Sequence, residues 1–281
     1  MAITALNNLS ADTSRKRSPN VWNRFTEQTL QRIKNGDING VVMEYDFLTL
    51  DVPVLVTPTI TTQAIYGAGL KAFGSAGGTL VSGGGAEGGT LVMTETDDDQ
   101  GIGIATVALP FKIINTYGDF AFECRLKTNS ITDTDHGFVC GLWESQTLSA
   151  TVPIAAAGTL ADANFVGFHR LEGDGDQIDT VYKANGVTQV SAADQLHTAL
   201  VADTYTKLGM SYDHNDGYFR FFQNNKELAT KYALPSAAGT DFPNDVFMGL
   251  CVALLCASNN DAIVTIDWIR AAQVYDPVGP Y

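Results

Sequence analysis

The stretch from Thr204 to Leu228 constrains the fold of this chain more than any other part of the sequence. From Tyr205 to Tyr212 the residues alternate in character with a period of two, as in a β-strand with one buried face. Residues 213–217 (DHNDG) then have turn composition, because Asx side chains bond their own backbone and glycine tolerates positive φ. Aromatic residues alternate from Tyr218 to Phe222, and Asn224-Asn225 signals a second turn. The stretch therefore predicts a β-meander within a large antiparallel sandwich.

These residues also carry a resemblance to a known family. A strand ending in Tyr212-Asp213, a short loop with Gly217, an aromatic strand and the sequence NNKEL resemble the concanavalin A-like lectin/glucanase jelly roll, including its laminin-G-like and pentraxin-like modules. The resemblance covers roughly residues 118–275. It implies an all-β antiparallel β-sandwich, a fold found in lectins, glycosidases, adhesion modules and many tailed-phage virion proteins. Because one fold hosts many functions, the function must be argued from the rest of the chain.

Periodicity and composition divide the chain into three segments. Residues 1–40 predict an N-terminal arm, with a short amphipathic helix between Pro19 and Asn35. Residues 41–275 predict the β-sandwich, interrupted by a Gly- and Thr-rich surface excursion at 57–89, and residues 276–281 form a tail. The helix must bury its apolar face, either on its own domain or on a partner subunit.

The charge of the chain is unevenly distributed. Overall, 17 Lys and Arg residues are outnumbered by 31 Asp and Glu residues, whereas residues 1–40 hold six basic and three acidic residues. Because phosphate neutralisation needs Lys and Arg, the net charge of −14 predicts no nucleic-acid partner. A basic arm on an acidic body instead favours contact with an acidic partner surface. The arm residues predicted to make this contact are Arg15, Lys16, Arg17, Trp22, Arg24 and Phe25.

Apolar runs and cysteines limit the cellular setting. Residues 246–257 are apolar but fall short of the ~20 residues that a membrane-spanning helix needs. The first residues lack the features of a signal peptide, so we expect synthesis in a cytoplasm and no membrane partner. The cysteines sit in apolar, strand-like runs without metal-binding spacing, which predicts buried free thiols. They are Cys124, Cys140, Cys251 and Cys256.

Glycoside hydrolysis is the enzymatic function that the resemblance suggests, and it needs paired carboxylates. Glucanase members of the family carry an E-x-D-x-E strand, whose alternation directs all three acids into one cleft. Here Glu44 and Asp46 have this spacing, but Leu48 occupies the third position. Residues 172–176 (EGDGD) alternate acids with glycines, which predicts a flexible loop. We therefore expect that the protein is not an enzyme.

Calcium is the cation that acidic loops hold in many lectins of this fold. A Ca²⁺ site needs six to eight oxygen ligands, and no loop of this chain has EF-hand spacing. Most acidic loops are simply solvated surface, so we predict that the protein has no cofactor. The one cofactor that its loops could hold is Ca²⁺. The residues that would hold it are Asp174, Asp176 and Asp179.

Aromatic side chains at the surface can stack on sugar rings. Their alternative fate is burial in the core, because large aromatic rings contribute strongly to packing. If the chain binds a glycan, the candidate residues are Trp143, Tyr182 and Tyr218.

Together these features favour a structural virion protein. The main hypothesis is a capsid decoration or cement protein of a bacteriophage, which binds the major capsid protein and stabilises the head. We expect it to act as a homo-oligomer, with a trimer favoured at three-fold positions of the capsid. The alternative is a carbohydrate-binding, lectin-like component of the tail or of receptor binding, and the weakest hypothesis is a glycoside hydrolase.

Overall fold

The computed structural model describes residues 15–47, 55–56, 63–66, 69–74, 78–83, 89–132, 134–144, 152–155, 159–171, 178–192, 196–234, 241–258 and 260–276. Within these ranges the chain forms one α-helix and nineteen β-strands. The elements are α1 (Glu27–Lys34), β1 (Gly40–Asp46), β2 (Leu55–Val56), β3 (Gln63–Tyr66), β4 (Leu70–Gly74), β5 (Thr79–Gly83), β6 (Thr90–Glu95), β7 (Gly101–Thr106), β8 (Phe120–Thr128), β9 (His136–Trp143), β10 (Ile154–Ala155), β11 (Thr159–Leu160), β12 (Phe165–Arg170), β13 (Asp179–Lys183), β14 (Val190–Ala192), β15 (Thr206–Asp213), β16 (Tyr218–Gln223), β17 (Lys226–Ala233), β18 (Gly249–Cys256) and β19 (Ala262–Val274).

The strands form two antiparallel sheets packed face to face. In sheet one the order is β17-β16-β15-β8-β19-β6-β5-β2, and β1 pairs with the C-terminal half of β19. In sheet two the order is β14-β13-β12-β9-β18-β7-β4-β3. The short hairpin β10-β11 forms no backbone pairing with either sheet, but Ile154 and Leu160 pack on the outer face of sheet two. This arrangement confirms the predicted all-β antiparallel sandwich.

Among the described residues, no helix is long and apolar enough to cross a membrane.

The main core lies between the two sheets and follows from strand alternation. In β8, Phe122 and Cys124 point into this core, whereas Glu123 and Arg125 point to the outer face of sheet one. Alternation places inward residues of both sheets in one apolar layer, from which water is excluded. All four cysteines are buried free thiols, as the sequence predicts.

The predicted meander is present as β15, β16 and β17. Its first turn joins Asp213 to Tyr218 and contains Gly217 at φ +73°, a conformation that glycine adopts without steric cost. Its second turn places Asn224 and Asn225 at φ 48° and 70°, and asparagine tolerates this left-handed region better than most residues. The two turns therefore fix the register of the meander.

The segment 57–89, predicted as a surface excursion with short strands around Ala64–Tyr66 and Thr79–Val81, contributes strands to both sheets. β4 pairs with β7 in sheet two, and β5 pairs with β6 in sheet one. Glycine in this segment allows close backbone approach. A Cβ on Gly74, whose φ is +154°, would lie 2.4 Å from the carbonyl O of Gly101.

Residues 15–39, which we call the N-terminal segment, pack on the outer face of sheet one. α1 begins at Glu27, later than predicted, because the Thr26 side chain caps it by accepting a hydrogen bond from Thr29 N at 3.1 Å. The preceding residues form turns instead of helix. The sequence allowed the apolar face of the helix to pack on the chain's own domain or on a partner subunit. In the structure it packs on sheet one of the same chain. The buried cluster comprises Val21, Trp22, Phe25, Leu30, Ile33, Ile38, Ala121, Phe222, Ala272 and Val274.

The change Trp22→Phe is expected to lower the free energy of unfolding by about 1–3 kcal/mol. It removes the indole N–H that donates at 3.0 Å to the buried carboxylate of Glu123. Trp22→Ala, which also empties the ring's space, is expected to cost about 3–5 kcal/mol. Urea unfolding followed by circular dichroism measures both losses.

Val201→Ala is the control for this series, because the Val201 side chain is 58% exposed. Its free energy of unfolding is expected to stay within about 0.5 kcal/mol of the wild type. An unchanged midpoint for Trp22→Phe would show that the indole hydrogen bond contributes nothing.

Candidate functional site

A polar cleft of about 330 Å³ lies on the outer face of sheet one, beside the N-terminal segment. Its volume falls within the range of small-ligand sites. We call it the polar cleft. It is lined by Asn20, Asn23, Ser211, Asp213, Asp216, Arg220, Phe222 and Glu227.

Strand alternation explains why these side chains share one face. In β15, Met210 and Tyr212 belong to the core, so Ser211 and Asp213 point outward. In β16 the same parity directs Arg220 and Phe222 outward. Because β15, β16 and β17 are adjacent, their outward residues form one continuous surface.

Arg220 organises the acidic wall of the cleft. Its guanidinium forms an ion pair with Asp216, with Nη1–Oδ1 at 3.1 Å, and its Nε lies 3.3 Å from Oε1 of Glu227. Partial burial opposes ionisation of Asp216, but the hydrogen bonds from Arg220 and from the Tyr218 backbone outweigh it and lower the pKa of Asp216. The reciprocal bond from Asp216 raises the pKa of Arg220. Both groups are therefore charged at neutral pH and held in fixed positions.

A second set of contacts fixes the other wall. Arg24 Nε donates to Asp119 Oδ2 at 3.0 Å and lies 3.9 Å from Asp213 Oδ1. Asp213 Oδ1 also accepts from Asn215 N at 2.9 Å, which ties the carboxylate to its own turn. This wall is therefore ordered without a ligand.

The floor and the opening of the cleft differ in chemistry. Phe222 supplies the floor and is only 3% exposed, so its ring is packed under the N-terminal segment. Asn20 and Asn23 are exposed at the opening, where side-chain amides can both donate and accept hydrogen bonds, although Asn20 Nδ2 already donates to the Asn225 carbonyl. The arrangement suits a small ligand that both donates and accepts hydrogen bonds.

The three aromatic residues predicted to bind glycans lie in different places. Trp143 is buried on the outer face of sheet two, with its ring centroid 5.3 Å from that of Phe73. Tyr182 packs against Tyr232 at 4.5 Å between centroids. Tyr218 alone among the three lies beside the polar cleft, next to Asp216, with Lys231 Nζ 4.4 Å from its ring centroid.

The residues predicted to hold calcium are only partly described. Asp174 and Asp176 lie outside the described residues, and Asp179 is buried at the start of β13. Within the described ranges, no group of three or more His, Cys, Asp or Glu residues is arranged to hold a metal ion. The calcium hypothesis stays a prediction.

The residues predicted to bind a partner through the arm are engaged within the chain, with Lys16 as the exposed member. Trp22 and Phe25 are buried in the cluster on sheet one. Three arginines form intramolecular ion pairs, and Lys16 is exposed. The pairs are Arg15 with Asp46 at 2.7 Å and Asp267 at 2.6 Å, Arg17 with Glu27 and Glu44, and Arg24 with Asp119 at 3.0 Å.

A buried polar group between the sheets was missed by the sequence analysis. Thr128 Oγ1 lies 2.5 Å from His136 Nε2, and Arg170 Nη1 donates to the Ser130 carbonyl at 3.4 Å. Burial, reinforced by the charge of Arg170, lowers the pKa of His136 to about 4. Nearby in the fold, Glu95 is fully buried at the end of β6. Alternation along β6 could have identified Glu95, because an inward position with a carboxylate is unusual.

Burial raises the pKa of Glu95 to about 7, above its ordinary value of 4.5. The folded state therefore binds one more proton than the unfolded state between these pH values, and stability falls as the pH rises through this window. Glu95→Gln removes this loss, so its melting temperature is expected to exceed that of the wild type at pH 8 and to match it at pH 4. Each kcal/mol corresponds to roughly 2–4 °C for a domain of this size.

Asp261→Asn is the control for this prediction, because it removes an exposed carboxylate. Its melting temperature is expected to follow the wild type across the same pH range. If the curves of Glu95→Gln and the wild type stay parallel from pH 4 to pH 8, the carboxyl of Glu95 does not titrate as inferred.

Comparison with known proteins identifies the fold. No protein-family model matches the sequence, and no curated protein matches it either. A structure from work on endo-acting O-glycanases, which prominent members of the human gut microbiota express to initiate mucin breakdown, is 13% identical with a TM-score of 0.50, covering 83% of this chain and 98% of that chain. The potassium-bound carbohydrate recognition domain of Emp46p is 12% identical with a TM-score of 0.47, covering 72% and 90%. The carbohydrate esterase of Shiga toxin-encoding bacteriophage phi24B is 14% identical with a TM-score of 0.43, covering 74% and 91%.

At 13% identity the likeness to the O-glycanase structure, whose TM-score is 0.50, shows a shared sandwich fold. It also corrects one expectation. Because the E-x-D-x-E strand is missing, we expected no enzymatic activity. A structure from work on O-glycanases nevertheless has the same sandwich fold, so that expectation was wrong. Catalytic residues can be placed at different positions of one fold, so the absence of one family's motif does not exclude catalysis.

Proposed function

We propose that this protein binds carbohydrate and that the polar cleft holds the sugar. The observation that carries the proposal is the set of fixed carboxylate, guanidinium and amide groups around one small cleft. A sugar hydroxyl donates one hydrogen bond and accepts others, so it is best satisfied where acceptors and donors converge. Asp216 and Glu227 supply acceptors, and Arg220 lies between them as a donor.

Preorganisation favours binding at this cleft. The ion pairs of Arg220 already hold the side chains, so ligand binding immobilises few additional rotamers. Hydrogen bonds to charged groups contribute about 1.5–3 kcal/mol each, roughly twice the neutral kind. Two or three such bonds are sufficient for the millimolar to micromolar affinity that small saccharides need.

The fold is compatible with this proposal. A structure from work on O-glycanases shares this sandwich fold. That likeness does not identify any binding residue of this chain. The proposal therefore rests on the cleft. It agrees with the alternative hypothesis from the sequence, and Tyr218 is the predicted glycan-binding residue that lies nearest to the site.

The capsid-decoration hypothesis stays a prediction, as do its major-capsid-protein partner, its homo-oligomeric state and its virion location. Within the described structure, most of the arm residues assigned to that contact serve packing and ion pairs of the chain itself. A decoration role would need another surface of the protein or residues beyond those described.

Screening the purified protein on a glycan array and measuring affinities by titration calorimetry tests the proposal. Asp216→Asn is expected to weaken binding of any positive glycan about tenfold, because it removes a charged acceptor and loosens Arg220. The matched control is Asp261→Asn, which removes an exposed carboxylate from the β18–β19 connection.

Equal affinity of both variants and the wild type would exclude the polar cleft as the sugar site. An array without any positive glycan would overturn the proposed function. Circular dichroism of each variant establishes that the sandwich is folded before affinities are compared.

A further inference from the structure

A second pocket, of about 430 Å³, lies between residues 16–19 of the N-terminal segment and the turn that joins β16 to β17. We call it the cationic pocket. Among the described residues, three of those that line it are basic and none is a carboxylate, in a chain whose formal net charge is −14. Arg17 is already paired with Glu27 and Glu44, so the argument below uses Lys16, Lys207, Asn224 and Asn225.

We propose that the cationic pocket binds the oxyanion of an anionic saccharide, a sulfate ester or a carboxylate, whose neutral hydroxyls occupy the polar cleft. This inference rests on the proposed function. It goes further by assigning the class of sugar and its direction across the surface.

The pocket is built by contacts between distant parts of the chain. Lys207 Nζ donates at 2.8 Å to the carbonyl of Lys16, which brings both lysines to one place. Lys207 N donates at 2.9 Å to Asn224 Oδ1, and Asn224 N donates to the Lys207 carbonyl at 2.9 Å. The β16–β17 turn therefore forms a fixed wall beside Lys207, and Lys16 lines the same pocket.

The cationic pocket and the polar cleft are directly adjacent. Asn20, which lines the cleft, forms two hydrogen bonds with Asn225, which lines the pocket. Asn20 N donates to Asn225 Oδ1 and Asn20 Nδ2 donates to the Asn225 carbonyl, both at 2.7 Å. One ligand that crosses this pair of asparagines contacts both sites.

The charges of the two sites differ, which fixes the direction of the ligand. Asp213, Asp216 and Glu227 line the cleft, so an anionic group placed there meets like charge. The lysines of the pocket attract the same group as compact point charges, and lysine is a common ligand of sulfate and phosphate oxygens. The anionic end therefore belongs in the pocket and the neutral end in the cleft.

Three oligosaccharides of equal length test this inference by titration calorimetry at low salt. A neutral chito-oligosaccharide offers hydroxyls, unsulfated chondroitin adds carboxylates, and chondroitin 6-sulfate adds sulfate esters. At least one anionic probe is expected to bind about tenfold more tightly than the neutral probe. The comparison of the two anionic probes distinguishes carboxylate from sulfate. Added salt is expected to reduce the advantage, because it screens exposed charges.

The double variant Lys16→Gln/Lys207→Gln is expected to abolish the advantage of the anionic probes and to leave the neutral probe unchanged. Lys16→Gln alone covers the case in which the change at Lys207 disturbs folding, since Lys16 is exposed. Lys71→Gln on β4 of sheet two removes the same charge elsewhere and is expected to bind like the wild type.

The outcomes separate the two proposals. Equal binding of neutral and anionic probes, both weakened by Asp216→Asn, would overturn the anionic class and leave carbohydrate binding at the cleft intact. Anion-dependent binding that survives the lysine variants would overturn the assignment to this pocket. Failure of all three probes, together with a negative glycan array, would overturn both.

Discussion

The buried carboxylate of Glu123 is the constraint on which this structure depends. It lies on the outer face of β8, where it is fully buried, and its Oε2 accepts from Ser18 N and Trp22 Nε1 at 3.0 Å each. A carboxylate buried without such partners would cost several kcal/mol. The N-terminal segment therefore belongs to the folded unit, since it supplies the donors that sheet one needs on its outer face.

The same segment creates the candidate site. Where it crosses sheet one, its residues form one border of the polar cleft and one border of the cationic pocket. The ion pairs beneath it, such as Arg15 with Asp267 at 2.6 Å, hold this border in place. The covered face is poorly solvated, since Asp267 is only 1% exposed, and burial raises the pKa of Asp267 despite its arginine neighbours and lowers the pKa of Arg270. Ligand-accessible polar groups remain at the margins of the segment.

The surroundings of the predicted site residues depend on what covers each face of a sheet. Trp143 was a glycan-binding candidate with burial as its alternative, and residues near Val152 and Leu160 bury its ring on the outer face of sheet two. The sequence allowed Trp22 and Phe25 to pack on the chain's own domain or on a partner subunit, and in the structure they pack on the chain's own sheet. Periodicity of two or of 3.6 states which residues share a side, and it contains no information about the opposing surface.

The sequence by itself determined the sandwich class, the β15–β17 meander and the burial of the cysteines, because these follow from local alternation and turn chemistry. Only the tertiary structure decided the site. Asn20 and Asn225 are 205 positions apart and meet through two hydrogen bonds, and Lys207 reaches the carbonyl of Lys16 across 191 positions. Such contacts depend on sheet order and on the path of the N-terminal segment, which arise from burial over the whole chain and leave no local pattern.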